Sequence, residues 1–177
     1  MSLSQSEESS YQSLVELLDK GHFDACIRGC MSHIDEFGDS AKIWVLAGSA
    51  LGADNKPNQA RSALLCALKI DPQNENAQVN YITSCLHGGH KSDALKALNE
   101  FLPDMSDNCL AFKMAPSLAE ALELGVLLST DVSPKIWIRI ENILDSIEDE
   151  LDHLDEEPRL ELEDQPPIKD NVIQFPI

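Results

Sequence analysis

The chain alternates between short amphipathic runs and clusters of turn-forming residues. Between Ala41 and Pro72, Trp44, Ala47, Gly48 and Leu51 recur at i, i+3, i+4 and i+7, one stripe of a helix. Ala60, Leu64 and Ala67 make a second stripe, and Asp54-Asn55-Lys56-Pro57 between them reads as a turn. Asp71-Pro72 stops the second helix, because proline disfavours helix at the residue before it. Small residues at Gly48 and Ala60 predict two antiparallel helices whose backbones approach closely, and Ala67 predicts the same against the next pair.

A shift of 34 positions brings the pattern onto itself. Forward, Ala94 falls opposite Ala60. Glu75 to Leu86 then reads as a first helix (Gln78, Tyr81, Ile82, Cys85), Gly88-Gly89-His90 as a turn, and Ser92 to Phe101 as a second helix ended by Pro103. Backward, Cys26 falls opposite Ala60, with helices over Tyr11 to Asp19 and Phe23 to Ile34 around the turn Lys20-Gly21-His22. Three hairpins thus begin near residues 7, 41 and 75. In the flanking two, Ile82 stands in place of the small glycine and Gly38 in place of the closing proline. The offsets of Trp44, Gly48, Leu51, Ala60, Leu64, Ala67 and Pro72 resemble one tetratricopeptide (TPR) repeat, and the resemblance covers residues 9–104. It implies an all-α fold, a TPR-like stack of about three helical hairpins, followed here by C-terminal helices and an acidic tail. It also implies partner binding as the activity.

Beyond the repeats, Asp104 to Asn108 is a link and Cys109 to Met114 a short helical turn. Ala115-Pro116-Ser117 opens a helix to about Leu128, with Leu118, Ala121, Leu122, Gly125 and Val126 on one stripe. Ser133-Pro134 reads as an N-cap with proline at the first helical position. The helix that follows carries Ile136, Ile140, Ile143, Ile147, Leu151 and Leu154 at three- and four-residue spacing, with acids on the other face. Such a helix needs cover. Either it caps the open end of the stack, or it pairs with another chain, a partner or a second copy in a homodimer. Glu156 to Asp170 is acidic, Pro-rich and extended, and Val172, Ile173, Phe175 and Ile177 then return as a docking peptide for its own groove or a partner's. The chain accordingly divides into a flexible N-terminus (1–8), the repeats (9–104), the C-terminal helices (105–155) and a tail (156–177).

Composition agrees with a helical stack: 43% of the 177 residues are hydrophobic and only 5% aromatic, which suits Ala/Leu packing rather than a β-sandwich. The formal net charge is −18. Between Glu141 and Asp164 there are twelve acids and one base, Arg159. Such a chain is repelled by nucleic acid and anionic membranes, so an electrostatic partner would be a basic protein segment. The polar, acidic Met1 to Ser10 is no secretory leader, and no run is long and apolar enough to span a membrane. Five cysteines, an odd number, fit reduced thiols in a cytoplasmic protein.

The candidate chemistry is thin. His22, Cys26, Cys30 and His33 share one face of one helix, but a single straight helix cannot wrap a tetrahedral ion. The repeat register puts Cys26, Cys30 and His33 at the packed positions of Ala60, Leu64 and Ala67, where cysteine acts as a small hydrophobe. Cys85, His87 and His90 make no better site. No phosphate-binding glycine loop, nucleophile elbow or His-Glu-x-x-His pair occurs, and the acidic pairs lie in a solvated run. No metal, cofactor or catalytic residue is expected.

In the TPR family the first helix of each hairpin lines a groove that holds a peptide or a helix. On this chain the groove residues would be Tyr11 and Val15, then Lys42, Val45, Leu46 and Ser49, then Asn76, Val79, Asn80 and Thr83. Asparagine suits such a task, because its amide both donates and accepts. Chaperone-binding members clamp a terminal carboxylate with Lys, Arg and Asn; Val45, Ser49 and Val79 at those places argue against a heat-shock co-factor. Three functions remain open: an adaptor or assembly factor, a cytoplasmic chaperone of type III secretion translocators (which are similar in length, acidity and repeat number), and an accessory subunit of an enzyme complex.

Overall fold

The structure is a computed structural model; it describes the backbone of residues 5–106, 115–123, 125 and 127–155, and side chains as far as residue 145. Among the described residues there are eight helices and no strand: α1 Gln5–Asp19, α2 Phe23–Phe37, α3 Ala41–Ala53, α4 Pro57–Ile70, α5 Glu75–His87, α6 Lys91–Phe101, α7 Ala115–Glu123 and α8 Pro134–Asp155. The expected turn over Cys109–Met114, the side chain of Ile147 and the tail 156–177 lie outside the described residues.

The period seen in the sequence is a period of the backbone. The second helices start at Phe23, Pro57 and Lys91, and the first helices of the second and third hairpins at Ala41 and Glu75, each pair 34 apart. Every first helix ends the same way. Gly21, Asn55 and Gly89 take positive φ (74°, 55° and 73°). The following residue then closes a bond back over the last turn: His22 N to Leu17 O, Lys56 N to Leu51 O and His90 N to Cys85 O. This is a Schellman-type stop, which needs a left-handed residue and accepts Gly or Asn there. The starts repeat too. Ser40 Oγ accepts from the Ile43 N–H at 3.4 Å and Asn74 Oδ1 from the Ala77 N–H at 3.1 Å, both as N-caps.

The packed face follows the same register. Cys26, Ala60 and Ala94 are fully buried, and so are Cys30, Leu64 and Leu98. Within a hairpin the two helices meet through a large residue against a small one. A Cβ added to Gly48 of α3 would sit 2.6 Å from Cγ of Leu64 in α4. The first hairpin reverses the roles: Leu14 of α1 fills the space beside Gly29 of α2, where a Cβ would lie 2.2 Å from Leu14 Cδ2. Ile82 in the third hairpin is buried in one cluster with Ala97 and Leu98. The departure in the first hairpin is therefore an exchange of volume between two facing helices, whereas Ile82 adds volume to the core of the third.

Two helix boundaries differ most from the sequence reading, while α2 runs three residues further, to Phe37. α1 begins at Gln5 rather than Tyr11, and Glu7 and Glu8 in its first turn complement the positive end of its dipole. α7 ends at Glu123 rather than near Leu128. Gly125 leaves the apolar stripe assigned to it, adopting φ 64° in the turn, with its N–H bonded to Leu122 O at 3.0 Å.

α7 and α8 continue the stack as an irregular fourth hairpin. Leu118, Ala121, Leu127, Val132, Ile136, Ile140 and Ile143 share one core with Val79, Ile82, Leu98 and Leu102 of the third. Arg139 of α8 donates to the carbonyls of Leu102 and Pro103 at 2.6 and 2.7 Å, placing its charge at the negative end of α6. Of the two roles open to the isoleucine stripe, the described part takes the capping one: Ile136, Ile140 and Ile143 are buried within their own chain and are not free to form a partner helix.

Gly48→Ala should lower stability by about 1–3 kcal/mol, since the new methyl would press on the fully buried Leu64. A thermal melt superimposing on that of the native chain would remove the Gly48–Leu64 contact from the account.

Candidate functional site

The first helices α3, α5 and α7 lie side by side and present one ledge. Because the stack repeats every 34 residues, Ser49, Thr83 and Ser117 occupy equivalent places on successive helices. Asn80 Nδ2 donates to Ser49 Oγ at 2.9 Å, and Ser49 Oγ donates to the Val45 carbonyl at 2.9 Å. Thr83 Oγ1 and Ser117 Oγ are 3.2 Å apart, and His87 Nε2 lies 3.1 Å from Glu120 Oε2. Between α3 and α5 runs a groove of about 240 Å³ lined by Gly48, Ser49, Gly52, Asn80, Thr83 and His87. Gly52 keeps its wall low: a Cβ there would meet nothing within 4 Å.

The structure brings Ser49, Asn80 and Thr83 of the predicted groove set to one groove. Lys42 and Asn76 are exposed, and Val45 is half-buried. Tyr11 and Val15 are half-buried against the core of the first hairpin. Burial, followed by the neighbouring Glu8 carboxylate, raises the Tyr11 phenol above its usual value. Leu46 is buried in that same core. Val79, at 1% exposure, is a correction: it belongs to the core shared with Leu118, so it offers no side chain to a groove. Ser117 and Glu120 join the ledge without having been predicted. For Ser117 the one sequence signal is its 34-residue offset from Thr83, and Glu120 lies one turn further along the same helix.

The arrangement is suited to hydrogen bonding a main chain. Hydroxyls and an amide that donate and accept alternate along the ledge, and a peptide backbone offers the matching groups. Among the described residues no group of three or more His, Cys, Asp or Glu is placed to hold a metal ion. The helix α2 thiols are buried hydrophobes. Burial pushes Cys30 up to about 12, with the neighbouring Cys26 adding to the shift, and it also raises Cys26. Burial pushes Cys85 up to about 11 and Tyr81 to about 12. Thiols held protonated in this way are poor nucleophiles. His33, 4% exposed, packs its ring against Phe37 at 4.8 Å, and neither ring nitrogen has a partner among the described protein atoms.

No protein-family model matches the chain, and no curated protein does. Among solved structures it is similar to the crystal structure of the type III secretion translocator chaperone SycD of Yersinia enterocolitica, in an alternative dimer. The TM-score is 0.52 at 13% identity, and the match covers 84% of this chain and 96% of that one. The likeness is one of fold: both chains are all-helical, TPR-like stacks. No helix among the described residues is long and apolar enough to cross a membrane.

Two outcomes follow from the buried groups. His33→Leu should stabilise the chain by roughly 1–2 kcal/mol, because it removes two unpaired polar atoms from the core; a lower melting temperature would show that the imidazole has a partner. The raised thiols and phenol give stability a definite pH dependence. In the unfolded chain Cys30 and Cys85 ionise near 9.0 and Tyr81 near 10.0, whereas the fold keeps them protonated to about 12, 11 and 12. Their contribution is therefore complete below 9.0 and is lost as pH rises towards 12. Melting temperature should hold level up to about pH 9 and then fall; a level profile to higher pH would contradict this.

Proposed function

We propose that this chain is a non-catalytic protein-binding module of the TPR family, acting as a cytoplasmic chaperone or adaptor. Its first-helix ledge would hold an extended segment or a helix of another protein. The observation that carries this reading is the ledge itself: Ser49, Asn80 and Thr83 aligned across two helices beside the open floor at Gly52. Such a row can bond successive peptide groups of a strand without demanding a particular side-chain sequence, which suits a chaperone. The 14 acids and eight bases of residues 1–106 leave the stack itself negative, which favours a segment with basic residues.

The finer reading is a chaperone of type III secretion translocators. What supports it is the fold shared with such a chaperone over 96% of that chain's length, together with the acidity and the short stack. A second reading, an accessory subunit of an enzyme complex, now rests on the apolar segment 172–177 alone, because Ile136, Ile140 and Ile143 are already buried. A homodimer is compatible with either.

The test is to fill the ledge. Ser49→Arg combined with Thr83→Arg puts long side chains across the groove. Affinity purification from the native host should recover a partner with the unaltered chain and lose it with this variant, while circular dichroism shows both folded. Equal recovery by both proteins would move binding off the ledge. Loss only from a chain ending at Asp164 would favour the accessory subunit.

A further inference from the structure

A second groove, of about 280 Å³, lies on the other layer of the stack, between the second helices α4 and α6. Its floor is apolar: Leu65 and Leu68 from α4, Tyr81 from α5, Phe101 from α6. Leu65 is 38% exposed and Ile70 close by is 47%, so large apolar side chains face outward here. One lysine stands on each wall, Lys69 from α4 and Lys96 from α6. Other bases of this region are engaged: Arg61 with Asp93, Lys91 with Asp131 at 2.8 Å, and Arg139 with the carbonyls after α6. No described acid lies within ion-pair distance of Lys69 or Lys96, although Glu100 and the Arg61-paired Asp93 line the same groove. An apolar floor between two uncommitted lysines suits an occupant that is apolar in one stretch and acidic beside it.

This chain carries such a stretch. Beyond α8 come Glu156, Glu157, Glu161, Glu163, Asp164 and Asp170 against two bases, Arg159 and Lys169, and then Val172, Ile173, Phe175 and Ile177. In an extended chain, Ile173, Phe175 and Ile177 alternate with Gln174 and Pro176 and fall on one face. Pro176 favours that extended form at Phe175. The geometry allows the return. α8 starts beside the beginning of α6, through Asp131 and Lys91, and its Arg139 reaches the end of α6. The two helices therefore run in the same direction, and α8 points past the C-terminal end of α6, where Phe101 lines the groove. From Arg139 to Asp155 is about 24 Å of helix. From Asp155 to Ile173 the chain can span up to about 60 Å.

We propose that residues 172–177 dock in the α4–α6 groove of their own chain. Ile173, Phe175 and Ile177 cover Leu65, Leu68, Tyr81 and Phe101, and the acids before them face Lys69 and Lys96. Tethering favours the chain's own segment over a second copy, since a short linker gives millimolar effective concentration. The net charge of −18 on each molecule disfavours close approach of two. Docking would shield the apolar patch of the second-helix layer and leave the Ser49–Asn80 ledge open. The proposal does not depend on what that ledge binds.

Hydrogen exchange on the full chain tests it. Ile173→Asp with Phe175→Asp alters only residues beyond the packed helices. Amides of 65–70 and 96–101 should exchange about tenfold faster in this variant, which corresponds to about 1.4 kcal/mol of docking. The acceleration should be the same at every protein concentration, and Lys69→Glu with Lys96→Glu should reproduce it. Unchanged exchange in the tail variant would overturn the proposal. So would protection that appears only where sedimentation shows dimers, which would make a second copy the occupant. Acceleration confined to α3 and α5 would overturn it as well, by placing the segment on the ledge.

Discussion

The fold depends on how closely two helices of one hairpin can approach. At the Gly48–Leu64 crossing the glycine has no side chain, and the leucine occupies the space it leaves. At Leu14–Gly29 the same contact is made with the roles exchanged. Such a fit tolerates a swap of volume between partners but not an addition to either, because interiors are packed at crystal-like density. It fixes the separation of first and second helices. With that fixed, the next hairpin must repeat the last, and the buried trio Cys26, Ala60 and Ala94 follows.

Regular stacking then creates the surface. Once successive first helices lie parallel, residues about one repeat apart become neighbours. The polar contacts run at that spacing: Asp24 with Lys56, Asn58 with His90, Asn80 with Ser49, Thr83 with Ser117. The exposed pairs among them, Asp24 with Lys56 and Asn58 with His90, add little stability. Their consequence is alignment, since each fixes how one hairpin slides on the next. The first-helix layer thereby gains a row of hydroxyl and amide groups, and the second-helix layer gains an apolar channel between lysines. The two layers of one stack offer two different chemistries.

Much of this was legible in the sequence, for a physical reason. A hairpin is specified locally, by a stripe of small and large residues, a left-handed turn residue and a cap. Residues 40–72 carry all three. Ser49, Asn80 and Thr83 come together because they share helical faces fixed by that register. The failures lie where a residue's environment depends on a distant element. Val79 looks like a groove residue until α7 packs over it, and α7 was hard to place because its turn glycine, Gly125, comes 36 rather than 34 residues after Gly89. The isoleucines of α8 announce that they need cover, but a stripe does not say whether the cover is the same chain or another. The end of a stack is the one place where a repeat pattern gives no information about its neighbour.

The distribution of charge bears on both surfaces. Residues 107–177 hold 17 of the 31 acids and only five of the 13 bases, so the stack itself is far less acidic than the whole chain. At physiological salt an exposed charge is screened beyond about 8 Å. The acids after Glu141 therefore act weakly on a partner approaching the ledge, unless that partner also touches them. Their strongest available interactions are short-range ones with bases that have no other counter-ion, and Lys69 and Lys96 meet that condition on the second-helix layer. An acidic run placed at the end of a stack is thus better suited to choosing where its own segment lies than to steering a ligand from afar.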